Sequence, residues 1–315
     1  MKFSHVYGSF LISALLAACA TTPQYKISDV TEARALSDHA LVLLVTGDPK
    51  GAINALDAVI AYGSIDPDDY ARRAAVYGTQ KKYEQALADA NRAVELDPKA
   101  WRRYLERGVL YQRVGAYNDA ITDLDSAVGL QPHEVELWRR RAYLKVVAAR
   151  FDDAVTDYET LSSMLPRSDT GVLGRGAALY LAGRWPEAAT QFSYMLSQRP
   201  DDGLAALWLA KARFRGRQFL AWEELEKHAG PEPEWLMARA LLTVDSTTEV
   251  TQMLKGVEPC ERALFMGLWR IVHKNSKGAF EDLRAAEKAC PLDSIEGSET
   301  RLELARLKEA GAAAP

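Results

Sequence analysis

A spacing of 34 residues governs this chain. From Ala33 the sequence divides into 33–66, 67–100, 101–134, 135–168 and 169–202 with no insertion or deletion. In the second to fifth segments an aromatic residue recurs at segment position 17, as Tyr83, Tyr117, Phe151 and Trp185. Alanine recurs at position 20, as Ala86, Ala120, Ala154 and Ala188. Proline recurs at position 32, as Pro98, Pro132, Pro166 and Pro200. A fixed period of this length marks a small structural unit that cannot bury its own apolar face and stacks on its neighbours instead. The chain therefore grows by addition of like units.

Each segment reads as two antiparallel helices. In 101–134, helix A runs from Trp101 to about Val114, Gly115 makes the turn, and helix B runs from Tyr117 to Leu130. Gly108 and Ala120 fall where the two helices cross, and Ala127 where the next segment packs. Pro132 ends helix B, because proline lacks a backbone donor and clashes with the preceding turn. Segment 135–168 repeats this with Ala142, Ala154 and Pro166, and 169–202 with Gly176, Ala188 and Pro200. In 33–66, Ala40, Gly47 and Ala52 keep the register, and Pro49 replaces the aromatic residue at a place that suits a first helical turn.

The period blurs over 203–259. Helix A persists from Gly203 to Phe214, and Phe219 holds the aromatic position. Trp222 replaces the small residue, and Gly230, Pro231 and Pro233 shorten helix B. Two short helices are expected at Glu234–Leu242 and Thr248–Leu254. The pattern returns in 260–293 with Gly267, Ala279, Leu283, Ala286 and Pro291. The tail 294–315 carries a charged amphipathic helix, Glu299 to Ala310, expected to cap the last repeat.

This arrangement of small, aromatic and proline positions resembles the tetratricopeptide repeat (TPR). The resemblance implies an all-α superhelix of antiparallel helix pairs and a surface for proteins rather than a pocket for chemistry. In such repeats, helix A positions 2, 5, 9 and 12 line the concave groove, one stripe at helical spacing. Here the stripe holds Arg102, Leu105, Val109 and Gln112, then Glu136, Arg139, Tyr143 and Val146, then Leu173, Ala177 and Tyr180. Lys211 and Phe214 follow, with Arg215 beside them. Arginine and aromatic side chains dominate the energetics of many interfaces, so Arg102, Leu105, Arg139, Tyr143, Tyr180, Lys211, Phe214 and Arg215 are the candidate partner groove. A solvated helix face with scattered aromatics remains the competing reading. The two-lysine, two-asparagine clamp of chaperone-binding TPRs is absent, so that class of ligand is not expected.

Two further ladders share the period. Arg73, Arg107, Arg141 and Arg175 all stand at position 7, and Asp89, Asp123 and Asp157 at position 23. A basic stripe for an anionic ligand is one reading. An Arg–Asp bridge from helix A to helix B in each repeat is the favoured one, and Gln191 then leaves Arg175 freer than the others.

The first 18 residues read as an export signal, with Lys2 ahead of the apolar run Phe10 to Leu16 and small residues after it. Leu16-Ala17-Ala18-Cys19 resembles a bacterial lipobox, which implies cleavage before Cys19 and acylation of that cysteine; an incidental cysteine after an ordinary signal is the alternative. Residues 19–32 then form a lipidated tether. Ala20, where an Asp would signal inner-membrane retention in enterobacterial lipoproteins, favours the outer membrane. Cys260 and Cys290 remain as an even pair at positions 1 and 31 of the last repeat. Antiparallel helices bring the start of A beside the end of B, and an oxidising periplasm favours a disulfide there.

A net charge of −4 over 315 residues gives no electrostatic case for nucleic acid. His39, His133, His228 and His273 are scattered and make no metal motif. The glycines of 171–176 lack dinucleotide spacing. No enzyme and no cofactor is expected.

The lipobox at Leu16–Cys19, the tether, the regular repeats, the degenerate middle, and the segment from Cys260 to Gly267 with Ala279-Phe280 and Cys290-Pro291 together resemble the NlpI-type TPR lipoproteins of Gram-negative bacteria. That resemblance implies an outer-membrane adaptor facing the periplasm, which brings murein hydrolases to a tail-specific protease in cell-wall growth and division. A second copy of the chain is a further candidate partner. The alternative is an assembly lipoprotein, such as a pilotin for a secretin, a pilus or barrel machinery.

Overall fold

The computed structural model describes residues 25–166, 168–216, 233–244 and 246–311. The signal at 1–18, Cys19, the first part of the tether, and Phe219, Trp222, Gly230 and Pro231 lie outside the described residues. The regular structure among the described residues is helical throughout. Among the described residues sixteen helices follow one another: α1 (Val30–Val45), α2 (Pro49–Tyr62), α3 (Pro67–Thr79), α4 (Tyr83–Leu96), α5 (Trp101–Arg113), α6 (Tyr117–Leu130), α7 (Val135–Val147), α8 (Phe151–Met164), α9 (Asp169–Leu181), α10 (Trp185–Gln198), α11 (Gly203–Arg215), α12 (Pro233–Thr243), α13 (Thr247–Met253), α14 (Pro259–Val272), α15 (Ser276–Ala289) and α16 (Ile295–Glu309). The chain forms two compact units, Met1–Val114 and Gly115–Pro315, so the division falls inside the third 34-residue segment.

The turn from helix A to helix B is the same device in the five regular segments and in the last repeat. Gly47, Lys81, Gly115, Ala149, Gly183 and Lys274 all occupy segment position 15, and all have φ between 56° and 83°. The next residue donates its backbone N–H to the carbonyl five positions back: Asp48 to Leu43, Lys82 to Tyr77, Arg150 to Lys145, Arg184 to Leu179 and Asn275 to Arg270, at 2.7–2.9 Å. That bond closes the helix end and needs one left-handed residue before it. Lys81, Ala149 and Lys274 adopt this conformation without being glycine, so the geometry is imposed by the helix pair rather than by the residue.

The small positions work by letting a large neighbour in. A Cβ on Gly176 would stand 2.6 Å from the Phe192 ring, and one on Gly267 would stand 2.6 Å from Leu283. In each case position 8 of helix A receives position 24 of helix B. The position-20 alanines Ala52, Ala86, Ala120, Ala154, Ala188 and Ala279 are all fully buried. In three consecutive repeats a ring at position 4 ties the repeat to the turn before it: Tyr70 donates to the Ser64 carbonyl (3.1 Å), Tyr104 to Pro98 (3.1 Å) and Trp138 to Pro132 (2.8 Å).

The arginine ladder is structural. In the first unit Arg73 makes a forked pair with Asp89, both bonds 2.7 Å, and also reaches Asp57 at 2.7 Å. In the second unit Arg141 forks onto Asp157 at 2.9 and 2.8 Å and reaches Asp125 at 2.8 Å. The hydrogen bond to Asp89 is the chief reason the Arg73 guanidinium is held above its ordinary range. Arg107 bonds Asn91 at 2.9 Å, and Arg175 bonds Glu159 at 2.7 Å. Position 7 therefore reaches position 25 of the preceding segment in all four, and Arg73 and Arg141 also fork onto position 23 of their own. Arg175 makes this second contact alone, its Nε has no hydrogen bond of good geometry, and its side chain is 30% exposed against 17% for Arg73 and 11% for Arg141, so it is freer than those two, in line with Gln191 standing at position 23.

The main core of the second unit lies among α7 to α14, around Tyr180, Phe192, Trp208 and Trp235. A smaller cluster joins Leu264, Leu268 and Leu283 of the last pair to Leu304 and Leu307 of α16. Cys260 and Cys290 are joined by a disulfide, with 4.7 Å between their Cα atoms. No helix among the described residues is long and apolar enough to cross a membrane.

Candidate protein-binding groove

The groove residues of the second unit are carried by α7, α9 and α11. Asp202 caps α11 by accepting the Ala205 N–H at 3.0 Å. From Ala205 to Ala212 every side chain of this helix is buried. Two of its cations, Lys211 and Arg215, lie one turn apart and face the same way.

What they face is α16. Its cap is Ser294, which accepts the Gly297 N–H at 2.9 Å, so the helix begins four residues before the expected Glu299. Lys211 Nζ stands 2.9 Å from Glu299 Oε2. Arg215 Nη2 lies 2.9 and 2.8 Å from the two carboxylate oxygens of Glu303, and Arg306 donates to Oε1 of that carboxylate at 2.6 Å. Glu299 and Glu303 are each only 1% exposed. The Tyr143 hydroxyl donates to the Asp293 carbonyl just before α16.

Aromatic rings set the cations. Lys211 Nζ lies 4.4 Å from the Trp208 ring centre, and Arg215 lies 5.4 Å from that of Trp185. Tyr180 meets Trp208 edge-on at 5.3 Å. Burial, then the nearby Glu299 and Glu303 carboxylates, pushes the Tyr180 hydroxyl well above its ordinary value. Burial likewise raises Glu303, against the opposing pull of Arg215 and Arg306. Satisfaction is incomplete: Glu299 Oε1, Tyr180 Oη, Arg215 Nε and Trp185 Nε1 are buried with no hydrogen bond of good geometry.

Beside the first turn of α16 the groove stays open, as a hollow of about 460 Å³ lined by Arg139, Tyr143, Leu173, Ala177, Trp208 and Ile295 among others. Arg139 is exposed at its rim and bonds Glu136 at 2.8 and 2.7 Å.

The predicted groove residues thus part company. Arg102 and Leu105 belong to the first unit, where Arg102 is exposed over the Trp101 ring at 5.0 Å and Leu105 is half-buried. In the second unit Arg139 is open and Tyr143 half-buried, while Phe214 packs against the core. Tyr180 is a core residue, only 1% exposed, and Lys211 and Arg215 are covered by α16. None of the three is open surface: the chain's own carboxylates match the charges of Lys211 and Arg215, and Tyr180 is buried beside them. α16 does meet the last repeat through Leu304 and Leu307, but it also enters the groove. The sequence reading missed Glu299 and Glu303. Their signal was two acids four residues apart on a tail helix with few apolar residues to bury.

Among the described residues no group of three or more histidine, cysteine or acidic side chains is placed to hold a metal ion. The groove pairs Lys211 with Glu299, Arg215 with Glu303 and Arg139 with Glu136, an arrangement that suits recognition.

Two tetratricopeptide-repeat family profiles match the sequence, one over 74–130 and the other over 37–100 and 139–203. No curated protein matches in sequence. Among solved structures, a tetratricopeptide repeat protein from Parabacteroides merdae superposes with a TM-score of 0.58 at 17% identity, covering 86% of this chain and 98% of that one. The C-terminal part of a TPR repeat-containing protein from Cytophaga hutchinsonii gives 0.50 at 15% identity, covering 83% and 98%. At these identities the likeness concerns the fold.

Proposed function

The chain belongs to the tetratricopeptide-repeat family, a protein-binding scaffold, and from that membership we propose that it is a lipid-anchored adaptor of the bacterial outer membrane, facing the periplasm. Its partners on this reading are murein hydrolases and a tail-specific protease, and its work is in cell-envelope growth or division. The observation that carries the reading is that the groove of the second unit already holds a helix, α16, through paired charges and aromatic seats. A face that fits one helix so closely is suited to fit another. The lipobox at Cys19 supports the anchor, and the Cys260–Cys290 disulfide is consistent with an oxidising compartment. Several buried lipid methylenes, each worth roughly 0.8 kcal/mol, hold such a protein at a bilayer stably.

Envelope fractionation and capture test this. The wild-type chain should sediment with the outer membrane and, when pulled down after mild solubilisation, bring hydrolases with it. Cys19→Ala should appear as soluble protein or as uncleaved precursor. A variant that still sediments after high-salt washing places the anchor elsewhere. Capture of a secretin or barrel component in place of hydrolases would favour an assembly role.

A further inference from the structure

We propose that residues 295–309 are an intramolecular ligand of the groove, and that the partner this groove takes is a helix carrying two carboxylates four residues apart. The inference rests on the scaffold reading and names the chemistry of the partner for that same face.

The charge pattern is the first argument. Lys211 and Arg215 are one turn apart on α11, Glu299 and Glu303 are one turn apart on α16, and each cation meets its own carboxylate at 2.8–2.9 Å. Trp208 and Trp185 lie against the two cations and fix where they point. With α16 lifted, this wall would present two oriented cations on an aromatic floor, spaced for an acidic helix.

The second argument is the makeup of the contact. The buried face of α16 includes Gly297, Ser298, Glu299, Thr300 and Glu303, followed by Leu304 and Leu307. The two leucines sit on the last helix pair rather than in the groove. The groove contact centres on these polar groups, with Ile295 and Leu302 of α16 only partly buried against the core beside them, and Glu299 Oε1, Tyr180 Oη and Arg215 Nε make no hydrogen bond of good geometry in it. Buried ion pairs stabilise only when geometry is excellent and every remaining polar atom is satisfied. This contact specifies its occupant by charge while leaving the occupant displaceable. Exposure of Leu304 and Leu307 on lifting makes the closed arrangement the resting one.

The third argument is the root of the helix. The disulfide ties the first residue of the last repeat to Cys290, five residues before α16 begins. The α14–α15 pair therefore has a covalent clasp of its own, and α16 can leave it without opening it.

The test uses the full chain and a fluorescent peptide of residues 294–309. Glu299→Lys with Glu303→Lys sets like charges against Lys211 and Arg215 and should empty the groove. The peptide should then bind this variant at least tenfold more tightly than the wild type, while a peptide with Lys at both positions should not bind. Hydrogen exchange on the wild-type chain supplies the second arm, independent of whether the variant folds. Excess wild-type peptide should lower protection across 295–309, and the Lys peptide should not. Equal binding to both chains, equal binding of both peptides, or unchanged exchange would overturn the self-ligand. The envelope pull-down judges the scaffold reading separately, since partners can still be captured when this peptide is not.

Discussion

Asp157 shows what the ladder contributes. It is 2% exposed and is held by Arg141 at 2.9 and 2.8 Å and by Lys145 at 2.8 Å. Removing its charge leaves the nearly buried Lys145 unmatched and Arg141 with only the exposed Asp125, which costs about 3–5 kcal/mol, as when a buried pair loses one partner. Asp157→Asn should therefore shift urea unfolding by that amount. Arg141→Ala should cost less, about 1–3 kcal/mol, because Lys145 still satisfies the carboxylate. A ranking reversed in equilibrium unfolding would move the ladder out of the framework. Part of this was readable beforehand: arginine at position 7 and aspartate at position 23 repeat too regularly to be surface decoration. The second acceptor series, Asp57, Asn91, Asp125 and Glu159, has the same period but mixes acids with an amide, so a search for one residue type passes over it.

The helix pair owes its closure to one residue. Ala149 has φ 59°. A Cβ in that conformation costs about 1–2 kcal/mol, and glycine gives back part of the gain through a freer unfolded chain. Ala149→Gly should stabilise the protein by about 0.5–1 kcal/mol, seen as a higher urea midpoint with unchanged slope; a lower midpoint would mean that the turn is not set by φ. In the last pair, removing the clasp with Cys260→Ser and Cys290→Ser should lower stability by up to about 3 kcal/mol. Faster hydrogen exchange should be confined to α14, α15 and α16, and uniform loss of protection would contradict a local clasp. The helices themselves were legible from proline, glycine and alanine spacing. The start of α16 was not, because Ser294, its cap, precedes a Gly-Ser stretch with no apolar period, and the helix forms there by docking its polar face.

For the molecule as a whole, the 34-residue period was enough to establish the architecture, and it says nothing of the partner. Repeat positions specify which side chains line a groove, and those side chains specify a chemistry: cations on aromatic seats, matched by carboxylates. The sequence reading placed Lys211, Arg215 and Tyr180 on the groove wall but could not show that a segment 88 residues further along covers them. Long-range pairing of this kind leaves no mark in a local period. The central claim is that the groove face of the second unit, rather than the outer face of its repeats, meets proteins of the envelope. Site-specific photo-crosslinking in cells tests it most directly, with the reactive residue placed at Arg139 on the groove rim or at Tyr194, which is exposed on a B helix. The account predicts adducts with other envelope proteins from position 139 and few from 194. Adducts from 194 with none from 139 would contradict it.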